Sequence, residues 1–475
     1  MIPAIDQATA ELDRFARRVS ASRPDVFRAG APIVAARAPG RLDVMGGISD
    51  YSGGLVLELT ASVASLVAVQ PADGGVTVTS VMPGDNGAEH RLALAPSEWR
   101  RLLEGSYATA REELHARTEE AWAGYVIGVL LALAKETGAD LSHGVQVLVE
   151  SKVPIGKGLS SSAAIEVATA RAVVELLGQA IPGEELARLC QLAENRVVGA
   201  PCGIMDQMTS ALGHADRLLA LLCQPATIEG HVRLPDALGV WGIDSGIQHA
   251  VSGADYGSVR TGAFMGYRIL ADLTGLRVTA ADEPGKVAID DKQWGGYLAN
   301  VDLAEFRAEY ADHLPAEMAG REFLDRYGGI SDPVTAVDPG RAYAVRQPTA
   351  HPVGENVRVR RFRELLQGAV DEVVMKELGR LMFASHESYS ACGLGSEGTD
   401  ALVRMCAARG PASGVFGAKI TGGGSGGTVA VLGRADAGPM IDEIAAEYRA
   451  VTGHSGTIYS GSSAGACYVP CVHLG

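Results

Sequence analysis

A glycine-rich stretch directly in front of an apolar helix constrains the fold of this chain more than any other feature. Residues 153–164 read VPIGKGLSSSAA, and apolar positions then recur at helical spacing up to residue 174. Glycine lets a backbone approach a ligand closely, and a helix start offers unpaired N–H groups at the positive end of its dipole. The stretch therefore predicts a phosphate site, in which the serine hydroxyls are further donors or ligands to Mg²⁺.

The stretch is not a P-loop of the Walker type. That pattern needs a glycine, any four residues and then Gly-Lys-Ser/Thr. Here Lys157 is followed by Gly158, and Ser151 stands where the first glycine should be. An ordinary glycine turn at the start of a helix is the alternative interpretation, so the choice depends on other parts of the chain.

Three further segments combine glycines with charged side chains. Residues 38–54 lie between two apolar runs and predict a loop between strands that carries Arg41 and Asp50. Residues 199–207 follow a helix-like segment, and residues 417–427 precede a strand-like run. Repeated loops of this kind indicate a ligand site rather than an isolated turn.

Composition and charge limit the class of protein. With 475 residues, 47% apolar and 20% charged, the chain can bury a large core in two or three domains, and its net charge of −15 argues against a nucleic-acid groove. The seven cysteines are odd in number and widely spaced, which predicts neither a disulfide framework nor a zinc site. Residues 6–19 predict an amphipathic helix rather than a secretory leader, and the longest apolar stretch, 125–134, is too short to span a bilayer. We therefore expect a cytoplasmic protein without a membrane partner.

The order of predicted elements indicates an α+β fold in two halves. Strand-like runs at 33–37, 55–69, 76–81 and 144–150 alternate with helix-like segments at 112–136, 161–178 and 184–197. The second half begins near Gly239 and is rich in helical patterns, at 364–388, 397–409 and 437–451.

Together, the four glycine-rich segments resemble the signature motifs of the GHMP small-molecule kinases, in their usual order. The galactokinase branch is the most similar, through PGR at 39–41, DYSGG at 50–54, GLSSSA at 158–163, PCGIMDQ at 201–207 and TGGG at 421–424. The resemblance covers roughly residues 33–270 and 343–470. It implies an N-terminal domain (1–238) like ribosomal protein S5 domain 2, a ferredoxin-like C-terminal domain (239–475), and an active site between them. The segment at about 275–342 has no counterpart in simple galactokinases and is left unassigned.

The resemblance also implies an ATP-dependent kinase that phosphorylates the anomeric hydroxyl of a sugar. Galactokinases carry Gly-Glu-His-Thr-Asp-Tyr where this chain has GGISDY at 46–51. Gly47 and Ile48 thus replace the Glu and His that serve the hydroxymethyl end of galactose in the family. A buried polar group without a partner costs about 1–3 kcal/mol, so a site lacking these groups suits a sugar lacking that hydroxyl. L-Arabinopyranose is galactose without C6, and the chain looks most like the plant-type L-arabinokinases.

Two other substrates and one other class of protein stay open. A galactose or uronic-acid 1-kinase is the first alternative, although Ile48 is apolar and its loop gains no cation to pair with a carboxylate. A galactokinase-like sensor that binds sugar and ATP without turnover is the second, although the phosphate motif is intact. Placing Glu and His at positions 47 and 48 should raise kcat/KM for galactose relative to arabinose.

The resemblance assigns catalytic and metal-binding roles to four residues and a place beside the adenine pocket to a fifth. Asp206 matches the catalytic carboxylate, which orients or deprotonates the anomeric hydroxyl, and Arg41 matches the guanidinium that faces it. Ser162 and Glu194 match the residues near Mg²⁺. Trp122 matches a residue beside the adenine pocket, with a place in the helix core as the alternative.

The remaining assignments are to ligand-binding loops. The implied ATP-binding residues besides Trp122 are Gly156, Gly158, Leu159, Ser160, Ser161, Ser162 and Ala163. The implied sugar-binding residues are Asp50, Gly47, Ile48, Gly203, Tyr256 and Gly423. For Tyr256, ordinary aromatic packing is the alternative.

Overall fold

The computed structural model of the chain describes residues 2–23, 25–81, 89–247 and 254–474, without the side chains of residues 2, 3, 22, 254 and 255. The elements of the first half are, in chain order, α1 (Ile2–Ser22), β1 (Ile33–Met45), β2 (Leu55–Pro71), β3 (Val76–Val81), β4 (Glu89–Leu94), α2 (Pro96–Glu104), α3 (Tyr107–His115), α4 (Gly124–Thr137), β5 (Val145–Ser151), α5 (Ser161–Leu176), α6 (Gly183–Ala193), α7 (Met205–Leu212), β6 (Arg217–Leu222) and β7 (Thr227–Arg233).

The second half continues with β8 (Leu238–Asp244), α8 (Ala254–Leu273), β9 (Arg277–Ala280), β10 (Val287–Asp290), α9 (Leu303–Glu305), β11 (Glu317–Ala319), α10 (Gly320–Tyr327), β12 (Ala342–Ala344), α11 (Arg346–Gln367), α12 (Glu372–Ala391), α13 (Glu397–Arg409), β13 (Val415–Ile420), β14 (Thr428–Arg434), α14 (Gly438–Thr452), β15 (Ile458–Ser460) and β16 (Val472–Leu474). No helix of the described part is long and apolar enough to cross a membrane.

The first sheet has the strand order β16-β1-β2-β5-β3-β4, and β6 pairs with β2 and with β7. Most neighbours are antiparallel, but β3 and β5 run parallel. Helices α4, α5, α6 and α7 contribute the apolar side chains that cover this sheet, among them Leu130, Val173 and Leu189. The mixed pattern of strands and helices agrees with the predicted α+β class.

Strand β1 corrects the predicted loop at 38–54. The strand continues through Pro39, Gly40 and Arg41 to Met45, and only the residues from Gly46 to Gly54 leave the sheet. A break in register between Pro39 and Arg41 lets the strand accommodate proline. A Cβ on Gly40 would lie 2.5 Å from the carbonyl oxygen of Leu159, so glycine allows the strand to pass close to the phosphate motif.

Two predicted helices are also divided. The segment 112–136 contains the end of α3, a 3-10 turn at Thr118–Ala123 and α4, because Arg117 leaves the helical conformation between them. The segment 184–197 is α6 followed by a π-helical turn at Glu194–Val198. Helix α11 begins at Arg346, well before the predicted start at 364, and α12 follows it from Glu372.

The second sheet has the strand order β13-β14-β8-β15, all antiparallel. Helices α13 and α14 pack their apolar residues on it, and Trp241, Leu402 and Tyr448 share one core. On the other side, Phe362 of α11 and Met382 of α12 pack with apolar residues of β1 and β2. The two sheets are thereby joined through a common apolar layer.

The unassigned segment 275–342 folds as a compact insertion on α8. It contains two short antiparallel strand pairs, β9 with β10 and β11 with β12. Its core joins Trp294 and Phe323 to Tyr267 of α8. The insertion therefore has its own apolar cluster and lies against the helix that carries Tyr256.

The last described strand returns to the first sheet. Strand β16 pairs with the edge of β1 that faces away from β2. The predicted division at 238/239 assigns the residues of β16 to the second half of the chain. Leu12 and Phe15 of α1 pack in the same cluster as Ala35 of β1 and Val469. The segments at the two extremes of the described chain thus meet on one strand.

Candidate active site

Arg41 and Asp206 form an ion pair at the centre of the candidate site. Arg41 is buried on β1, and its Nε and Nη2 lie 2.8 and 2.7 Å from Oδ1 of Asp206. Burial alone would lower the pKa of Arg41, but the carboxylates of Asp206, Glu58 and Asp43 outweigh it and raise this pKa. The guanidinium is therefore a permanent positive charge beside Asp206.

Ser160 holds the second oxygen of Asp206. The serine stands at the start of α5 with φ 57°, a left-handed conformation that is uncommon for a residue with a side chain. Its Oγ donates to Oδ2 of Asp206 at 2.5 Å. Asp206 itself lies in the first turn of α7, and its carboxylate is directed to Arg41 and Ser160.

The phosphate motif at 153–164 packs against Arg41 and against the glycine-rich segment 417–427. Arg41 donates from its backbone N–H to the oxygen of Leu159 at 3.0 Å and from Nη1 to the oxygen of Gly158 at 2.6 Å. Gly158 has φ 74°, and a Cβ there would lie 2.8 Å from the oxygen of Thr421. Glycine is thus required both for the conformation and for the close approach.

A cavity of about 280 Å³ brings most of the predicted site residues together. Its lining contains Arg41, Asp50, Trp122, Gly156, Gly158, Ser160, Ser161, Ser162, Glu194, Gly203, Asp206, Tyr256 and Gly423. Four other predicted residues, Leu159, Ala163, Gly47 and Ile48, are not in this lining. They are buried behind it, where they can shape the cavity but do not form its wall.

Asp50 lies in a 3-10 turn, Gly47–Ser52, at the sugar end of the predicted site. Burial raises the pKa of Asp50 to about 7, and the charge of Asp206 adds to this, while Arg260 and Arg41 oppose it. A Cβ on Gly203 would lie 1.7 Å from Oδ2 of Asp50, so this glycine makes room for the carboxylate. Tyr256 packs edge-on against the ring of Tyr51, with 5.8 Å between centroids.

Two further carboxylates, those of Glu166 and Glu194, lie at the end of the site where Mg²⁺ is predicted. The amide Nε2 of Gln207 donates to Glu166 at 3.0 Å and to Glu194 at 2.6 Å, and so bridges them. Burial raises the pKa of Glu194 to about 7, and Asp206 adds to the shift, whereas hydrogen bonds from Ser162 and others lower it. Excess negative charge of this kind would be relieved by a cation. The oxygens of Ser162 and Glu194 are ligands that suit Mg²⁺.

Within the described ranges, no three His, Cys, Asp or Glu side chains form a cluster that could hold a metal ion. A Mg²⁺ ion at Ser162 and Glu194 would therefore need further oxygens from a bound phosphate chain or water. This is the usual mode for Mg²⁺, which keeps several such ligands.

The sequence did not predict a buried network behind Arg41. Asp43 and Lys419, both fully buried, form an ion pair of 2.5 Å, and Glu58 lies 3.4 Å from Nε of Arg41. Burial and the nearby Asp43 raise the pKa of Glu58 well above its usual value. Two features of the sequence could have indicated this network. Lys419 lies in the glycine-rich segment 417–427, and Glu58 is a charged residue within the predicted apolar strand 55–69.

Arg260 is a further residue to which the sequence assigned no role, although it ends a stretch, 254–260, that resembles L-arabinokinases. It forms a two-pronged ion pair with Asp332 of the insertion, both bonds being 2.7 Å, with both side chains buried. Its Nη1 also donates to the oxygens of Pro201 and Cys202, at 3.3 and 3.1 Å. Arg260 therefore connects the insertion to the segment that leads into Asp206.

Three family models match the chain. "Galactokinase galactose-binding signature" matches residues 25–71, "GHMP kinases N terminal domain" matches 124–214, and "GHMP kinases C terminal" matches 368–450. A galactokinase of Chloroflexus aggregans is 32% identical over 87% of this chain and 87% of its own length. The chain belongs to the GHMP kinase family.

Among GHMP kinases, an L-arabinokinase of Arabidopsis thaliana is 39% identical over 98% of this chain. The chain spans about half of that relative, 49% of its length. A crystal structure of Lactococcus lactis galactokinase complexed with galactose superposes with a TM-score of 0.71 at 20% identity, covering 95% of this chain and 98% of that one. A mevalonate kinase gives 0.51 at 13% identity, covering 90% and 98%. These two structures confirm the predicted GHMP kinase fold.

Proposed function

We propose that this GHMP kinase transfers the γ-phosphoryl group of ATP to the anomeric hydroxyl of L-arabinose. The observation that carries the proposal is the Arg41–Asp206–Ser160 arrangement, which stands in one cavity with the phosphate motif. Phosphoryl transfer depends mainly on positioning and on neutralising charge, and this cavity supplies groups for both.

The hydrogen bonds of Asp206 indicate which of its atoms receives the sugar. Within the described part of the chain, Oδ1 accepts from two nitrogens of Arg41, whereas Oδ2 accepts from Ser160 alone. A carboxylate oxygen has two acceptor sites, so Oδ2 keeps one for the anomeric hydroxyl. In this arrangement Oδ2 orients the attacking oxygen and is the atom at which its proton would be received, while Arg41 stabilises negative charge on the transferring group.

The ATP site is proposed on the helix start and its glycines. N–H groups at the beginning of α5 and the hydroxyls of Ser161 and Ser162 would bind phosphate oxygens. Trp122 and Tyr125 line the same cavity and offer aromatic faces for adenine. Ser162 and Glu194 would hold Mg²⁺, which would neutralise negative charge on the phosphate chain.

The sugar site is proposed around Asp50, Tyr256 and Gly203. L-Arabinose is favoured because Gly47 and Ile48 offer no side-chain polar group for a hydroxymethyl substituent, and because the whole chain resembles an L-arabinokinase. Galactose remains the second candidate, since a galactokinase is similar over most of its length.

The proposal is tested by ADP release with Mg-ATP and a panel of L-arabinose, D-galactose, D-galacturonate, D-glucuronate, D-xylose and no sugar. We expect the highest kcat/KM with arabinose. Asp206→Asn should lower kcat at least ~10³-fold while ATP still binds, whereas the exposed control Asp236→Asn should be unaffected. Preference for galactose would refute the assignment of arabinose as the substrate but would leave the kinase activity standing. ATP binding without turnover of any sugar would favour the sensor.

A further inference from the structure

The hydroxyl of Tyr389 occupies the place where a side chain at position 47 would begin. A Cβ built on Gly47 would lie 1.6 Å from Oη of Tyr389 and 2.5 Å from Oδ2 of Asp43. The φ of Gly47, 45°, also lies in the region that favours glycine. Tyr389 belongs to α12, more than 340 positions away in the chain. The hydroxyl of Tyr389 thus occupies space that is free because residue 47 has no side chain.

Tyr389 is held firmly in this place. Its side chain is fully buried, and Oη accepts a hydrogen bond of 2.8 Å from the backbone N–H of Ile48. Oη can donate to the oxygen of Gly422 at 3.2 Å, or to Asp43 at 3.4 Å. A ring with these partners cannot swing aside without leaving buried polar groups unpaired. The position of the Tyr389 side chain is therefore fixed.

The Tyr389 side chain lies directly behind the proposed sugar site. Ile48 packs in one apolar cluster with Tyr389 and Tyr256, and Asp50 follows two residues later in the same turn. Gly422, which faces Oη of Tyr389, is next to Gly423 in the cavity lining. Tyr389 thus contacts the elements that carry the sugar-binding groups without lining the cavity itself.

We infer that Gly47 and Tyr389 form a matched pair that restricts the sugar site to aldopyranoses without a carbon substituent on C5. The inference rests on the proposed sugar-kinase function. Tyr389 fills the volume in which the acidic side chain of hexose-phosphorylating relatives would begin, and it fixes the backbone of Ile48, whose apolar side chain packs behind this end of the site. Tyr389 is a specificity-determining residue, not a catalytic one.

The pairing changes the expected result of restoring the galactokinase residues. Gly47→Glu with Ile48→His cannot place a glutamate while Tyr389 is present, so this double variant should not gain activity toward galactose. Adding Tyr389→Leu should release the space. For the triple variant we expect the ratio of kcat/KM for galactose to that for arabinose to rise at least ~10-fold over wild type, the scale on which binding pockets discriminate single carbon substituents.

The matched controls separate volume from hydrogen bonding. Tyr389→Phe loses the hydroxyl with its bonds to Ile48 and to Gly422 or Asp43 but keeps the ring. The ring carbon Cζ would still lie 2.7 Å from a Cβ at position 47. The sugar ratio of Tyr389→Phe should therefore stay within ~3-fold of wild type, whereas Tyr389→Leu should shift it toward galactose. An unchanged ratio in both the triple variant and Tyr389→Leu, with wild type preferring arabinose, would overturn the pairing and leave the kinase proposal standing. A wild type that prefers galactose would overturn the pairing as a specificity device. A wild type without turnover would instead refute the proposed function.

A thermal measurement tests the pairing even where a multiple variant folds poorly. Gly47→Ala should lower the unfolding midpoint of wild type more than that of Tyr389→Leu, because the strain from φ is common to both backgrounds and the contact with Oη exists in only one. Equal shifts in the two backgrounds would contradict the steric complementarity.

Discussion

Asp332→Asn should both destabilise the protein and impair the site, although Asp332 lies in the insertion and outside the 280 Å³ cavity. The aspartate accepts two hydrogen bonds from Arg260 and three more from Val334 and Thr335. Asparagine keeps the shape of the side chain but offers one acceptor oxygen in place of two. Its amide group would also face an N–H of Arg260, donor against donor.

The magnitude follows from burial. At an effective dielectric constant of 20, two charges ~4 Å apart attract by ~4 kcal/mol. Removing one partner of a buried ion pair typically costs about 3–5 kcal/mol, because the other charge is left uncompensated. Both side chains are nearly inaccessible, at 6% and 0% exposure, so this range applies to Arg260 and Asp332. We expect a loss of ~3–5 kcal/mol in the free energy of unfolding.

The assay is urea unfolding near pH 7.5, followed by the fluorescence of Trp294 and the other tryptophans. Burial would raise the pKa of Asp332, but the bonds from Arg260 outweigh it and lower this pKa, so the stabilisation is present above pH ~4 and lost below it. Asp236→Asn is the matched control, because Asp236 also pairs with an arginine, at 2.6 Å, but is 86% exposed. The control should change stability by less than ~1 kcal/mol. Equal effects of the two variants would refute the reasoning, as would an unchanged kcat/KM in Asp332→Asn.

Three further predictions concern the cavity and the network behind it. Gly203→Ala should raise KM for the sugar at least ~10-fold with little change in ATP affinity by calorimetry, because its Cβ would displace Asp50; equal KM values would contradict the close contact. The raised pKa of Asp50, about 7, means that its neutral form favours folding, so wild type should lose stability relative to Asp50→Asn as pH rises from ~4 to 7; parallel melting-temperature curves would argue against this. Lys419→Met should cost ~3–5 kcal/mol in urea unfolding, since it leaves Asp43 buried without its cation, and Asp43→Asn in the same chain should restore part of the loss.

The sequence predicted the parts of the site that lie within short motifs. Arg41, Asp206 and the serines of α5 were identified because glycine spacing, a helix start and the family resemblance all depend on local order. The structure places them around one cavity. Their individual roles stay predictions, as does the division of the chain at 238/239.

The partners that come from distant segments could not be predicted. Tyr389 and Asp332 lie in stretches without motif character, and their contacts with Gly47 and Arg260 exist only after the chain has folded. The predicted loop at 38–54 was too long for a different reason. Its proline and glycines are typical of loops, but the pairing of β1 with β2 outweighs this local preference and keeps Arg41 on a rigid strand.

The return of β16 to β1 has a consequence for how the protein is made. While a ribosome is still synthesising the second half, the edge of β1 that will receive residues 472–474 has no partner strand, and the apolar layer under α1 lacks Ala464 and Val469. Unpaired strand edges and exposed apolar layers are the usual starting points of aggregation in nascent chains. The sheet that carries Arg41 can therefore be completed only after residues 472–474 have left the exit tunnel, and this edge of β1 stays unpaired throughout the synthesis of all the residues between the two strands.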